Sequence, residues 1–265
     1  MKEPNYFCTD LQSGGKLTLD AYMAIFADTG ADCMTGEASV LYLYSTVAIQ
    51  RIMDHNPDAK IIVMLRNPTD AAHSLHAASW GYTHENIANF EEAWHAQAER
   101  LAGRRLPPNC FEPAIFQYGA IYRYAEQVQR VLDHVPKRQQ HVIIFEKFFA
   151  DPQHHYAETL EFLSLPLQVN TTFSVINPAV GASSPLLDEL LRKPPRWLVG
   201  LYRSLVRATG VHPANALRKL NTTPQEKTPM RPEFRNELDR YFADDIARLE
   251  RLLGQRLWSD IPSPR

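Results

Sequence analysis

Arg66 and Ser74 stand eight positions apart in KIIVMLRNPTDAAHS, residues 60–74, and their types and spacing suit one kind of chemistry. A guanidinium offers a planar fork of N–H donors that grips a phosphate or carboxylate in bidentate fashion. A serine about two turns into a following helix can donate its hydroxyl to the same anion if that helix lies across the site. The pair therefore reads as an anion clamp. A plainer reading also stands: Arg66 paired with Asp70, and Ser74 a hydroxyl on the helix surface, since an arginine after a strand is ordinary.

The elements that must position the pair follow from the surrounding pattern. Ile61 to Leu65 is a continuous apolar run, the signature of a parallel strand covered on both faces, and Pro68 sits where a first helical turn tolerates it. A helix is thus expected to open near Thr69. In open parallel sheets ligands bind beyond the carboxyl ends of the strands, where helix N-termini present unpaired N–H groups. A second buried strand is expected at His141 to Phe145. Helical spacing marks 17–28, 45–56, 90–101, 118–134 and 156–163, and a long amphipathic helix runs from about Pro232 to Leu253. Strands separated by helices predict an α/β fold, a parallel β-sheet flanked by helices. We expect one domain over 1–265, with an α/β core to about residue 170 and a mostly helical, proline-punctuated part over 171–265.

Composition excludes several classes. The chain has 265 residues, 45% of them hydrophobic, with 28 basic and 30 acidic side chains and a net charge of −2. No global field draws in nucleic acid or an anionic membrane, so any polyanion site must be local. Cys8, Cys33 and Cys110 are odd in number and lack a CxxC pair, which argues against a disulfide framework or a structural zinc site. No stretch approaches the roughly 20 apolar residues of a membrane span. MKEPNYF has no apolar leader core, and a cytoplasmic location is expected on the condition that no anchor precedes it. Neither His154-His155 nor the other histidines match a metal-ligand spacing such as HExxH, so no metal is expected. Asn170 and Asn221 open sequon-like triplets, which matter only in a secreted protein.

Beyond the residues themselves, KIIVMLRNPTDAAHS resembles the 3'-phosphate-binding segment of sulfotransferases that use 3'-phosphoadenosine 5'-phosphosulfate (PAPS), in which an arginine at the strand end and a serine eight residues on hold the 3'-phosphate. Arg66 and Ser74 match both. KEPNYF (2–7) and GEASVLYLYS (36–45) resemble upstream blocks of the bacterial and heparan-sulfate-type branch. FEEAWHAQAER (90–100), YGAIYRYAEQVQRVLDHVP (118–136), VIIFEKFFADP (142–152) and LEFLSLP (160–166) follow in family order, and the tail resembles its closing helix and tryptophan. The resemblance implies a P-loop-NTPase-like fold with PAPS as co-substrate and no metal. It also implies transfer of a sulfuryl group to an acceptor hydroxyl or amine of a carbohydrate or glycolipid. It carries Glu3 to the role of acceptor base, Lys2 to the steadying of sulfate or substrate charge, and Tyr122 to the pocket wall. Each has a plainer alternative: a terminal glutamate, a solvated lysine, a helix-packing aromatic.

The family's 5'-phosphosulfate loop, a strand, a glycine loop with a lysine and a helix, lies before KEPNYF, where this sequence has Met1. The expectation is an N-terminally incomplete sulfotransferase fold through a truncated or misassigned start. A degenerate relative that binds nucleotide or sulfated glycan without catalysis is the alternative, and a nucleotide kinase of related fold is a third reading. SGGK at 13–16 fails GxxxxGK[ST] and reads as a turn. His73 and His76 beside the clamp are read as packed on the helix, and Trp80, Gly81 and Tyr82 as packing rather than an acceptor gate. Residues 192–219 carry seven Lys/Arg and no acid among aromatic and aliphatic residues. That stretch either touches an anionic glycan or membrane surface or packs its apolar face inward. Partners beyond the acceptor, and the oligomeric state, are not legible.

Overall fold

The computed structural model describes residues 3–30, 33–81, 85–107, 110, 112–167, 171–173, 180–182, 222–224 and 229–258. Strand β1 (Ile61–Leu65) pairs in parallel with β2 (Gln140–Ile144), Ile61 opposite Gln140 and Leu65 opposite Ile144. The β1 boundaries are those its apolar run predicts, and β2 starts one residue early. Around this pair stand helices α1 (Leu19–Met23), α2 (Ala48–His55), α3 (Pro68–Gly81), α4 (Phe90–His95) and α5 (Gln97–Leu101). They are followed by α6 (Tyr118–Ile121), α7 (Tyr124–His134), α8 (Phe145–Ala150) and α9 (Pro152–Leu163). Two short strands, β3 (Val180–Ala182) and β4 (Thr222–Pro224), form an antiparallel pair before the long closing helix α10 (Pro232–Leu253). The fold is α/β, a parallel sheet flanked by helices.

One expectation about the sheet is corrected. Val63 and Leu65 of β1 are buried, but Ile62 and Met64, on the opposite face, are 42% and 47% exposed. Successive side chains of a strand point to opposite faces. The inner face meets α2, α7 and α10 through Ile49, Val128, Val131 and Leu249. On the outer face α9 packs on the β2 side, where Phe162 stacks on His141 at 5.1 Å.

Two helices expected to be continuous are each broken in two. At Ala96 the break is held by Gln97, whose amide donates to the Trp94 carbonyl (2.8 Å) and accepts from the Gly119 amide (2.8 Å). Between α6 and α7, Gln127 donates to the carbonyls of Ala120 (3.1 Å) and Ile121 (2.9 Å), while Asp245 of α10 accepts from the Ala125 amide at 3.2 Å. These side chains satisfy the backbone groups that helix ends leave unpaired. Burial pushes the Asp245 carboxyl up, and the amides and arginines around it pull the other way.

Three apolar clusters divide the core. One lies under the sheet, a second gathers Phe90, Trp94, Phe116, Phe234, Leu238 and Phe242 between α3, α4 and α10, and a third packs Phe7, Cys8, Tyr22 and Leu41 near the N-terminal segment. The third is tied to α2 by Asp10, whose carboxylate accepts from Ser45 Oγ (2.6 Å), Thr46 N (2.8 Å) and Thr46 Oγ1 (2.9 Å). The Gly14-Gly15 dipeptide is a turn, as expected. A Cβ on Gly14 would stand 1.8 Å from the Cys8 carbonyl oxygen, and Gly15 has φ +65°, so both positions exclude a side chain on backbone grounds.

Candidate functional site

The carboxyl end of β1 delivers Arg66 into a short turn that Asn67 converts into a helix. The Asn67 side chain accepts from the amides of Thr69 (3.1 Å) and Asp70 (3.3 Å), and its carbonyl accepts from Ala71 N at 2.8 Å. This is side-chain N-capping, and Pro68 follows at the first helical position as its fixed φ favours. The start of α3 is then fastened to α10. Thr69 Oγ1 donates to Asp239 at 2.6 Å, and Arg235 pairs with Asp70 at 2.9 Å. The plainer reading of Arg66, a pair with Asp70, is thereby overturned: Asp70 has Arg235.

Arg66 instead donates from Nη1 to Ser74 Oγ at 2.8 Å. Its guanidinium lies over the Phe145 ring, 4.8 Å from the centroid, a cation–π placement that fixes the plane of the fork. Its Nε is buried and, among the described residues, has no hydrogen-bond partner. A buried donor left unpaired is costly, so an anion that accepted from this fork would satisfy a group the fold leaves unsatisfied. Residues of this type and placement fit a phosphate.

Tyr122 packs against two of the apolar core clusters. Burial pushes its hydroxyl well up, and the charge of Arg66 acts against that rise. It meets Tyr124 edge to face at 5.8 Å, and the Tyr124 hydroxyl, also raised by burial, senses Arg66 and Glu146. The structure thus brings Arg66 and Ser74 together, while Tyr122 is a core-packed aromatic that feels the Arg66 charge. Glu3 belongs to a different cluster. It has φ +52°, and Asn5, at φ +50°, donates from its side chain to the Glu3 carbonyl at 3.1 Å. Asn5 N in turn donates to Ser39 Oγ (3.0 Å), and Ser39 donates to Glu37 (2.8 Å). Left-handed backbone at non-glycine residues is strained and persists where surroundings enforce it. The described hydrogen bonds do not run from this cluster to Arg66. Lys2, Tyr82, Asn170, Asn221 and the basic stretch 192–219 lie outside the described residues.

Sequence reasoning missed Glu146. This buried carboxylate, at the start of α8, accepts from the Asn67 amide (2.8 Å) and from Trp258 Nε1 (2.8 Å). It joins the turn after β1, the turn into α8 and the chain beyond α10, and so sets where Arg66 leaves the sheet. No local signal marks it, because both of its partners lie far away in the chain. His76 is a packed histidine: its Nε2 lies 2.8 Å from the Ile87 carbonyl, and burial lowers its pKa. His73 stacks on Phe90 at 5.3 Å.

The family described as "Sulfotransferase domain" matches residues 43–179, which span Arg66, Ser74, Tyr122 and Glu146. The chain is also similar to the crystal structure of a sulfotransferase from Alicyclobacillus acidocaldarius, at 26% identity and a TM-score of 0.66, over 96% of this chain and 84% of that one. No curated protein matches it.

Proposed function

We propose, because this chain belongs to the sulfotransferase domain family, that it moves a sulfuryl group from PAPS to a hydroxyl or amine of a carbohydrate or glycolipid acceptor. The observation that carries the donor assignment is the Arg66 fork, bonded to Ser74 at 2.8 Å with its Nε buried and without a hydrogen-bond partner among the described residues. Arg66 and Ser74 would hold the 3'-phosphate of the donor, with Tyr122 walling the pocket beside them.

The reaction this reading assigns is in-line. As the acceptor oxygen bonds to sulfur, Glu3 takes the proton of the acceptor O–H, and the sulfur–oxygen bond to the 5'-phosphate breaks. The electron pair leaves with 3'-phosphoadenosine 5'-phosphate, and atoms and charge balance without a metal. Lys2 would stand near the charge on the transferred group, where a cation lowers the barrier. The contribution of Arg66 is positional: fixing the far end of the nucleotide fixes the sulfuryl group relative to the acceptor. Transfer of labelled sulfate from PAPS onto a panel of oligosaccharides and glycolipids tests the reading. A positioned base contributes about 10²–10⁴-fold, so Glu3→Gln is expected to lower kcat on that scale while leaving nucleotide affinity in place. An unchanged kcat in that variant would remove Glu3 from the role.

A further inference from the structure

Away from the clamp, α9 opens with neighbouring histidines whose rings converge on one carboxylate. Asp151 caps the helix by accepting from the His154 amide at 3.1 Å, so the backbone is helical from its first turn. Residues three and four apart share a helix face, and Glu158 stands at those distances from His155 and His154 respectively. His155 Nδ1 lies 2.7 Å from one oxygen of Glu158, and His154 Nε2 lies 3.3 Å from the other. One ligand atom from each of the three residues falls within 4.8 Å of the others.

We propose that His154, His155 and Glu158 form a binding site for a divalent transition-metal ion of the zinc class. Zinc bonds to histidine nitrogen and carboxylate oxygen at about 2.0–2.2 Å, which sets tetrahedral ligand atoms roughly 3.4 Å apart. The His154 to Glu158 separation is close to that value, and the His155 contact runs to the other oxygen of the same carboxylate, so a metal held through one oxygen needs only a turn of the Glu158 carboxylate and a small shift of the His155 ring. Two imidazoles and one carboxylate suit zinc, cobalt, nickel or copper and mismatch magnesium and calcium, which require oxygen ligands.

The competing interpretation is a pair of surface ion pairs, each worth about 0–1 kcal/mol. Three features favour the site. Side-chain exposures of 61% for His154, 23% for His155 and 45% for Glu158 leave both histidines open to an arriving ion. The His155 ring is oriented by stacking near Phe148 of α8, with centroids 6.5 Å apart and planes 28° apart. Three protein ligands leave a fourth position for water or a further ligand, and His154 also borders a groove of about 460 Å³ whose lining includes Asp151, Tyr156, Leu160 and Leu167. None of the three ligands belongs to the anion clamp, so the site stands independently of the proposed reaction.

Calorimetric titration of the untagged full chain with zinc chloride tests this, together with visible absorption of the cobalt-loaded protein. Binding of one zinc per chain is expected, with cobalt d–d bands of low-coordinate intensity. His154→Ala and Glu158→Gln are each expected to weaken binding by at least about tenfold. Both residues are largely solvent-facing, and unchanged circular dichroism confirms the variants as folded; should His154→Ala misfold, His154→Gln serves in its place. Absence of saturable zinc binding, or binding that survives both substitutions, overturns the proposal.

Discussion

Arg66 is oriented rather than merely available. Phe145 beneath the guanidinium and Ser74 at Nη1 leave the fork few ways to turn, so an incoming phosphate meets donors already in place, and pre-organisation lowers the cost of binding. Hydrogen bonds that involve a charged group contribute about 1.5–3 kcal/mol. Ser74→Ala is therefore expected to weaken binding of 3'-phosphoadenosine 5'-phosphate by roughly tenfold or more in calorimetry, with the urea midpoint little changed. At this scale Arg66 and Ser74 were legible because a strand exit and a fixed spacing both lie within one short segment. Glu146 was not: it reaches Asn67 across 79 positions, and nothing local marks a glutamate as the partner of a distant backbone amide.

At the scale of elements, the clamp depends on how α3 is seated. Its first turn is held by the Asn67 cap, by Thr69 on Asp239 and by Asp70 on Arg235. Glu146 fixes the turn before it and Trp258 together. Glu146→Ala removes the acceptor from two donors, and leaving buried donors unpaired costs about 1–3 kcal/mol each. The expected outcome is a lower urea midpoint accompanied by weaker nucleotide binding, carried through the turn that Glu146 holds at Asn67. A variant with normal affinity would show that the turn holds its shape without that carboxylate. The ends of β1 and α10 were readable from an uninterrupted apolar run and from Pro232 and Gly254, the latter at φ +67°. The breaks at Ala96 and between α6 and α7 were not, because Gln97, Gln127 and Asp245 stabilise them through contacts that periodicity does not encode. The outer face of β1 was misread for a similar reason: Ile62 and Met64 have the composition of buried residues and are exposed. The neighbour that would decide their burial is a matter of topology, not of local sequence.

Across the whole molecule, the loop after α3 is anchored by a buried network. Arg100 donates to Glu85 from two nitrogens, Tyr118 donates to the same carboxylate, and Glu85 accepts from the amides of Asn86 (2.7 Å) and Ile87 (2.8 Å). Burial alone would raise the Glu85 carboxyl, but the bonds from Arg100 and Tyr118 overrule it and hold the pKa below the ordinary 4.5. His76, nearby, is lowered from 6.5 chiefly by burial. Both groups have depressed folded values, so their stabilisation is complete above the unfolded values and lost as pH falls through the folded ones. The urea midpoint is expected to fall first below about pH 6.5, through His76 and the likewise lowered His141, and again below about pH 4.5, through Glu85. His76→Gln is expected to flatten the first step, and a midpoint equally steep in that variant would assign the step elsewhere. The central claim is that Arg66 recognises the 3'-phosphate of the donor, and it is tested most directly by calorimetry comparing 3'-phosphoadenosine 5'-phosphate with adenosine 5'-phosphate in the native chain and in Arg66→Ala. The account predicts that the native chain prefers the 3'-phosphorylated ligand by about 2–4 kcal/mol, as for a desolvated charge pair, and that Arg66→Ala loses most of that preference. A preference that survives the substitution undiminished would contradict it.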